Sequence, residues 1–276
     1  MTLSMALLST GDAVVKLSSD NLSLAVMLIG IGVGALIIFI PMMMRSGHSF
    51  FDRRAMRGPT LLRSIAEIGA AVTMLFALSR IPYTVIAMVM QTMPFLVTMG
   101  AVLFFGEKVG WRRWLAIGVG FLGVALIIRP GAAGFSVEWL LAFVVAVALS
   151  LRDLASRGVP KELSTAQIAA WGGAAVLIVG VLFQIFSGDP LPVLTGTAGL
   201  QLILISALTA GGVYTVSLAM RIGDVSVIAP LRYLRLPMGL GFGILLFHEP
   251  VDGLMIAGAA IVVLSGLYIF VRERSG

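Results

Sequence analysis

Val85-Ile86-Ala87 recurs as Val227-Ile228-Ala229, and Leu103-x-Phe105-x-Glu107-x-Val109 recurs as Leu245-x-Phe247-x-Glu249-x-Val251. Around these anchors, two stretches match without a gap, from Leu61 to Val109 and from Ile203 to Val251. Adding 142 to a number in the first gives its partner in the second, as for Leu62/Leu204, Ser64/Ser206, Gly69/Gly211, Thr73/Thr215 and Ala77/Ala219. An internal repeat of this kind constrains the architecture before any motif does.

Composition supplies the class. The 276 residues are 59% hydrophobic and 12% charged, with a mean hydropathy of +1.06. Soluble domains are about half apolar and a quarter charged, so a polytopic membrane protein is expected. A span takes about 20 mostly apolar residues. Ten spans are read at 2–18, 24–44, 61–81, 84–105, 111–128, 137–156, 165–186, 197–220, 225–247 and 251–271. All are expected as helices, because a lipid-exposed backbone must satisfy its own polar groups. No cleavable signal precedes the first span, and no soluble domain fits between spans.

The connections between spans carry the orientation. Arg45, Arg53, Arg54 and Arg57 follow span two, Lys108, Arg112 and Arg113 span four, Arg157 and Lys161 span six, Arg221 span eight, and Arg272 and Arg274 span ten. The opposite connections hold Arg80 and Arg129, with His248, Glu249 and Asp252 near the last. The positive-inside rule places both termini in the cytoplasm of an inner (plasma) membrane. The formal charge of +6 belongs to these loops rather than to a nucleic-acid-binding face.

Five spans separate matching helices, so the copies are inverted, the plan of many secondary transporters. A fainter echo, Leu8-Ser9-x-x-Asp12 against Leu149-Ser150-x-x-Asp153, extends it to the first helix of each half. The halves are then 1–130 and 131–276, five spans each.

Charges within spans are costly and mark functional positions. Asp12 and Lys16 lie one turn apart on span one and can pair in cis. Glu67 lies inside span three, Arg152 and Asp153 near the end of span six, and Arg232 and Arg235 on span nine. Ile228, Arg232, Arg235 and Gly239 share a helical face. Their repeat partners Ile86, Met90, Met93 and Val97 are apolar. The arginine fork suits a carboxylate, and methionine adapts to a variable apolar group. Arg235, Arg232, Met90 and Met93, with Gln91, Tyr214 and Tyr233, are therefore the expected substrate pathway. Gln91 belongs to a polar stripe with Thr84 and Thr98. Glu67, Asp12, Lys16 and Asp153 are candidates for proton coupling or ion pairing. The competing reading is that both arginines pair permanently with Glu67, Asp12 or Asp153 and only hold helices together. Pro94, Pro230 and Pro237 interrupt spans four and nine, and broken helices at mid-membrane mark binding regions.

No enzyme is expected. The two histidines, His48 and His248, lie near loops, and His248-Glu249-Pro250 lacks the second histidine of a zinc-protease motif. The chain has no cysteine. Neither a metal site nor a cofactor is expected. Expected partners are a small-molecule substrate and the lipid bilayer, with a monomer as the assembly and no nucleic acid.

Gly11-Asp12-Ala13-Val14-Val15-Lys16, the stretch from Ala77-Leu78 to Pro82, Pro94-Phe95, and Leu103 through Gly106-Glu107 to Trp111 form an ordered motif set. Ala229-Pro230-Leu231-Arg232-Tyr233-Leu234-Arg235-Leu236 and Phe247-His248-Glu249-Pro250 complete it. Across the chain, the set resembles the drug/metabolite transporter superfamily, of the EamA type. The resemblance implies an all-α basket of ten transmembrane helices in two inverted five-helix repeats. Helices one, three, four, six, eight and nine line a central cavity, and five and ten pack outside. It also implies alternating-access transport of amino acids, nucleoside-type metabolites, sugars or drugs. Export of amino acids, including aromatic ones, is the expected activity. Import of a larger nucleoside- or sugar-type metabolite is the alternative, and a membrane scaffold or sensor without transport the reading from another class. His248 and Met93 depart from the glycine and serine usual at those positions.

Overall fold

The computed structural model describes residues 1–52, 58–129, 136–160, 162–188, 196–222 and 229–273. The loop cations Arg53, Arg54, Arg57, Lys161 and Arg274 lie outside the described residues. So do the side chains of Arg221 and Arg272, residue Ile228 and the boundary between halves at Pro130 and Gly131.

The described residues are helical, with no strand among them. The helices are α1 (Thr2–Ser18), α2 (Leu24–Arg45), α3 (Gly58–Arg80), α4 (Tyr83–Val89), α5 (Met93–Phe105), α6 (Trp111–Ile128), α7 (Leu140–Arg157), α8 (Thr165–Ser187), α9 (Gly196–Ile222), α10 (Arg235–Leu245) and α11 (Gly253–Glu273). Seven stretches among the described residues are long and apolar enough to cross a membrane, with α4 and α5 counted together over Tyr83–Phe105. α1, with 17 residues including Asp12 and Lys16, and α10, with 11, fall short of that length. Large apolar side chains such as Leu103, Phe104, Leu122, Ile203 and Leu264 are exposed, as a bundle solvated by lipid chains requires.

Spans four and nine are interrupted beside their prolines. α4 stops at Val89, a 3-10 turn covers Met90–Thr92, and α5 restarts at Met93. Pro94 supplies the reason: it has no N–H for the Met90 carbonyl, and its ring crowds that carbonyl. Another 3-10 segment, Ala229–Leu234, leads into α10, whose third residue is Pro237. Arg232 and Arg235 therefore stand on either side of a break rather than on one regular helical face. The two breaks touch, with Gln91 Nε2 donating to the Tyr233 carbonyl at 3.4 Å.

The most extensive packing joins α2 to α8, α6 to α11, α3 to α7 and α1 to α9, and α4 packs on α10. Small residues let these helices approach closely. A Cβ on Gly32 would lie 2.6 Å from the Leu177 backbone nitrogen of α8, and one on Gly173 would lie 2.6 Å from the Ala35 Cβ of α2.

Outside the spans, Asp252 caps α11 by accepting the Met255 N–H at 2.9 Å and pairs with Arg129. The hydrogen bond from Arg129, then that from Met255, holds its carboxyl below the usual carboxylate range. A carboxyl depressed in the fold adds stability above that range and loses it as pH falls. Acidification is therefore expected to loosen this cap. Asp252→Asn should remove that part of the acid-side loss, read as melting temperature against pH.

Candidate functional site

A central cavity of about 210 Å³ opens among α1, α3, α7, α9 and the two broken helices. α2 and α8 add Ile31 and Val176, while α6 and α11 contribute no lining residue among those described. The breaks supply Met90, Gln91, Met93, Arg232, Tyr233 and Arg235, because a helix end turns side chains inward that a continuous helix would spread around its surface. Met5 and Met74 extend the soft apolar wall.

Four guanidinium groups, of Arg63, Arg152, Arg232 and Arg235, share this lining with three carboxylates, of Asp12, Glu67 and Asp153. Among the described residues, the lining thus carries one more guanidinium than carboxylate. Arg235 pairs with Asp12. Arg232 reaches Asp153 at 3.1 Å, and Arg152 joins Asp153 at 3.0 Å to Glu67 at 3.4 Å. Arg63 meets Glu67 at 3.0 Å, one turn along α3, and donates to the Ile168 carbonyl. The pairings named by the competing reading are thus present, and burial in an apolar bundle makes each carboxylate need its cation. They do not exhaust the donors, since each guanidinium has five N–H groups. The Arg232 side chain keeps 27% of its surface accessible against 15% for Arg235.

Six of the seven expected pathway residues line the cavity, and Tyr214 does not. Its ring lies 5.9 Å from that of Phe39, within a side cluster of α2 and α8 residues. Tyr233 presents its ring, but its hydroxyl lies against Gly266 of α11, where a Cβ would collide with it. Of the polar stripe, only Gln91 faces the cavity. The Thr98 hydroxyl donates to the Pro94 carbonyl, and Thr84 is buried.

Asp12 and Lys16 do not pair in cis. Lys16 points past the end of α3, where its Nζ donates to the carbonyls of Ile81 at 2.7 Å and Leu78 at 3.4 Å and meets Glu249 at 3.5 Å. Free carbonyls at a helix C-terminus attract a cation, and Asp12 meanwhile takes Arg235. Glu249 in turn accepts the N–H groups of Tyr83 at 2.7 Å and Thr84 at 2.8 Å, the orphan donors that open α4.

Two lining cations, Arg63 and Arg152, stand outside the expected pathway set. The i,i+4 spacing of Arg63 and Glu67 was the available signal for Arg63. Arg63 resembles an interfacial loop cation because it lies only five residues into α3, yet its side chain is 8% accessible.

Fold and site together define a polytopic helical membrane protein with a charged, methionine-walled cavity at its centre. Residues 1–129 match the EamA-like transporter family. The riboflavin transporter of Rhizobium johnstonii is 30% identical over 188 residues, covering 68% of this chain and 61% of that protein. The S-adenosylmethionine uptake transporter of Rickettsia bellii is 25% identical, covering 78% of this chain and 72% of that one. The pseudopaline exporter of Pseudomonas aeruginosa is 25% identical, covering 93% and 89%. A solved crystal structure superposes with a TM-score of 0.69 at 20% identity, covering 99% of this chain and 96% of that one, a likeness of fold. Over its first half and by these relatives, the chain is similar to EamA-type members of the drug/metabolite transporter superfamily.

Proposed function

We infer that this protein is a secondary transporter of the plasma membrane that carries a nucleoside- or flavin-sized metabolite through the central cavity by alternating access. The observation that carries the reading is the mixed lining. A wall of Met5, Met74, Met90 and Met93 faces Arg232 and Arg235, with partial charge compensation by Asp12 and Asp153. A flat heterocycle with a polar or zwitterionic arm has the chemistry to use both surfaces. Relatives that carry the names of riboflavin and S-adenosylmethionine support this class. They favour it over aromatic amino acids, which none of the reported relatives is named for. Uptake is the direction favoured by the Rickettsia name, and the Pseudomonas name makes export the competing outcome.

Ten spans in two inverted halves, 1–130 and 131–276, with both termini cytoplasmic, remain part of this proposal. Two observations support the inversion. Exchanging the halves maps the α1–α9 contact onto the α7–α3 contact, and the α2–α8 and α6–α11 contacts onto themselves. Gln91 also touches Tyr233, its own repeat partner 142 residues on, as two positions beside a pseudo-twofold axis must.

Proteoliposome counterflow tests the reading, with riboflavin, S-adenosylmethionine, tryptophan and phenylalanine, each with and without a pH gradient. Saturable exchange of riboflavin or S-adenosylmethionine is expected. Exchange confined to the amino acids would return the substrate to the first expectation, and no exchange at all would favour a scaffold. Insensitivity to the pH gradient would remove proton coupling from Glu67, Asp12 and Asp153.

A further inference from the structure

The contact of Lys16 with Glu249 has a counterpart elsewhere in the molecule. Glu107 is the repeat partner of Glu249, and Phe105 is that of Phe247. The echo that aligns Asp12 with Asp153 aligns Lys16 with Arg157. The side chains obey the same correspondence. Lys16 meets Glu249 and lies over the Phe247 ring, 5.5 Å from its centre. Arg157 meets Glu107 at 2.8 Å and lies over the Phe105 ring, 5.9 Å from its centre. The backbone repeats as well. The Glu249 N–H donates to the Gly243 carbonyl, and the Glu107 N–H to that of Ala101, its repeat partner. His248 and Gly106, at matching positions, both take the left-handed conformation.

The two assemblies lie at opposite ends of the bundle. Lys16 touches Ile81, just past the end of α3. Gly158, next to Arg157, lies against Pro59 at the start of α3. The 23 residues of α3 separate them by roughly 35 Å at about 1.5 Å per residue.

Their states differ. The Lys16 and Glu249 side chains are 19% and 8% accessible, and Glu249 also holds the two N–H groups that open α4. That carboxylate therefore ties α10 to α4 and, through Lys16, to the end of α3. The Arg157 and Glu107 side chains are 46% and 52% accessible. Among the described residues, the Glu107 carboxylate accepts a hydrogen bond from Arg157. An exposed pair contributes little, whereas a buried one that also satisfies helix-end donors resists breaking.

Building on the transporter reading, we propose that Lys16–Glu249 and Arg157–Glu107 are matched latches at the two ends of the cavity, each shut only when its carboxylate is buried, and buried one at a time. With Glu249 engaged, the end at Pro82 is shut. Release of Glu249 and burial of Glu107 shut the end at Arg157. The exchange needs no new chemistry, because each half carries a cation, a glutamate and a phenylalanine ring at matching positions.

The cysteine-free chain makes the test direct. A single Ala71→Cys probe in the cavity lining is labelled in the full-length protein with a membrane-impermeant maleimide. The reagent is applied from the Pro82 face or from the Arg157 face, using sealed cells and inverted vesicles. Glu249→Gln should raise labelling from the Pro82 face roughly fivefold or more, as a shifted two-state population would. Glu107→Gln should lower it or leave it at the starting level. A monodisperse detergent peak checks folding. Lys16→Met keeps the carboxylate on the α4 donors and should shift labelling the same way by less. Unchanged labelling in folded Glu249→Gln, or shifts of the same sign for the Glu249 and Glu107 variants, would overturn the latches. So would loss of folding in both the Glu249 and Lys16 variants, which would make the contact purely structural. Labelling needs no substrate. A shift without flux would count against the transported substrate alone, and flux without a shift against the latches alone.

Discussion

Arg235→Ala is expected to abolish substrate movement and to destabilise the protein in the same step. The guanidinium pairs with Asp12 in the cavity lining, where the two side chains are 15% and 14% accessible. Removing one member of a buried pair leaves its partner charged without compensation, at a cost on the order of 3–5 kcal/mol. The loss of transport alone would therefore not separate a substrate contact from a helix tie. The neutral pair Asp12→Asn with Arg235→Gln separates them. It removes both charges together and keeps polar side chains, Asn at the size of Asp and Gln shorter than Arg, so a large part of the melting temperature lost in Arg235→Ala should return. Transport should not return, because an amide cannot replace the arginine fork toward a carboxylate. Recovery of flux with the neutral pair would make the contact a structural tie. Melting curves in detergent and proteoliposome flux read the two outcomes.

Gly32→Val is expected to be the most damaging change remote from the cavity. A Cβ there would stand 2.6 Å from the Leu177 nitrogen and 2.7 Å from its Cα, against backbone that cannot rotate away. α2 and α8 must then separate along the broadest interhelical contact in the bundle. Overpacking a tight site costs about 1–3 kcal/mol and more where backbone must move. Loss of the monodisperse folded peak is the expected reading. Gly69→Ala is the control: nothing lies within 4 Å of its Cβ position. Its melting temperature should hold or rise, since alanine is the better helix former. Equal behaviour of the two variants would mean that α2 and α8 tolerate separation.

These glycines show how far the amino-acid order is legible. Gly69 and Gly211 are identical across the repeat, yet Gly69 faces open space and Gly211 touches Leu7. Repetition reports a shared ancestral position, whereas the need for a glycine depends on which helix passes beside it. The prolines were more informative. Pro94 and Pro237 mark breaks because the missing N–H acts within one turn of chain. The positions of those breaks bring Met90, Met93, Arg232 and Arg235 to the cavity. Tyr214 failed to follow, because an aromatic side chain on a two-sided helix has no periodic signal for which neighbour it meets.

By itself, the sequence determined what is local: apolar runs long enough for lipid, proline breaks, the repeat and the positions of the buried charges. Only the tertiary structure decided what is paired across the chain. It matched Asp12 with Arg235, 223 residues away, drew Lys16 to the open carbonyls of α3, and seated Glu249 on the first N–H groups of α4. A buried charge takes whichever opposite charge or orphan helix end lies nearest in space. That choice depends on helix packing, which spacing along one helix does not encode.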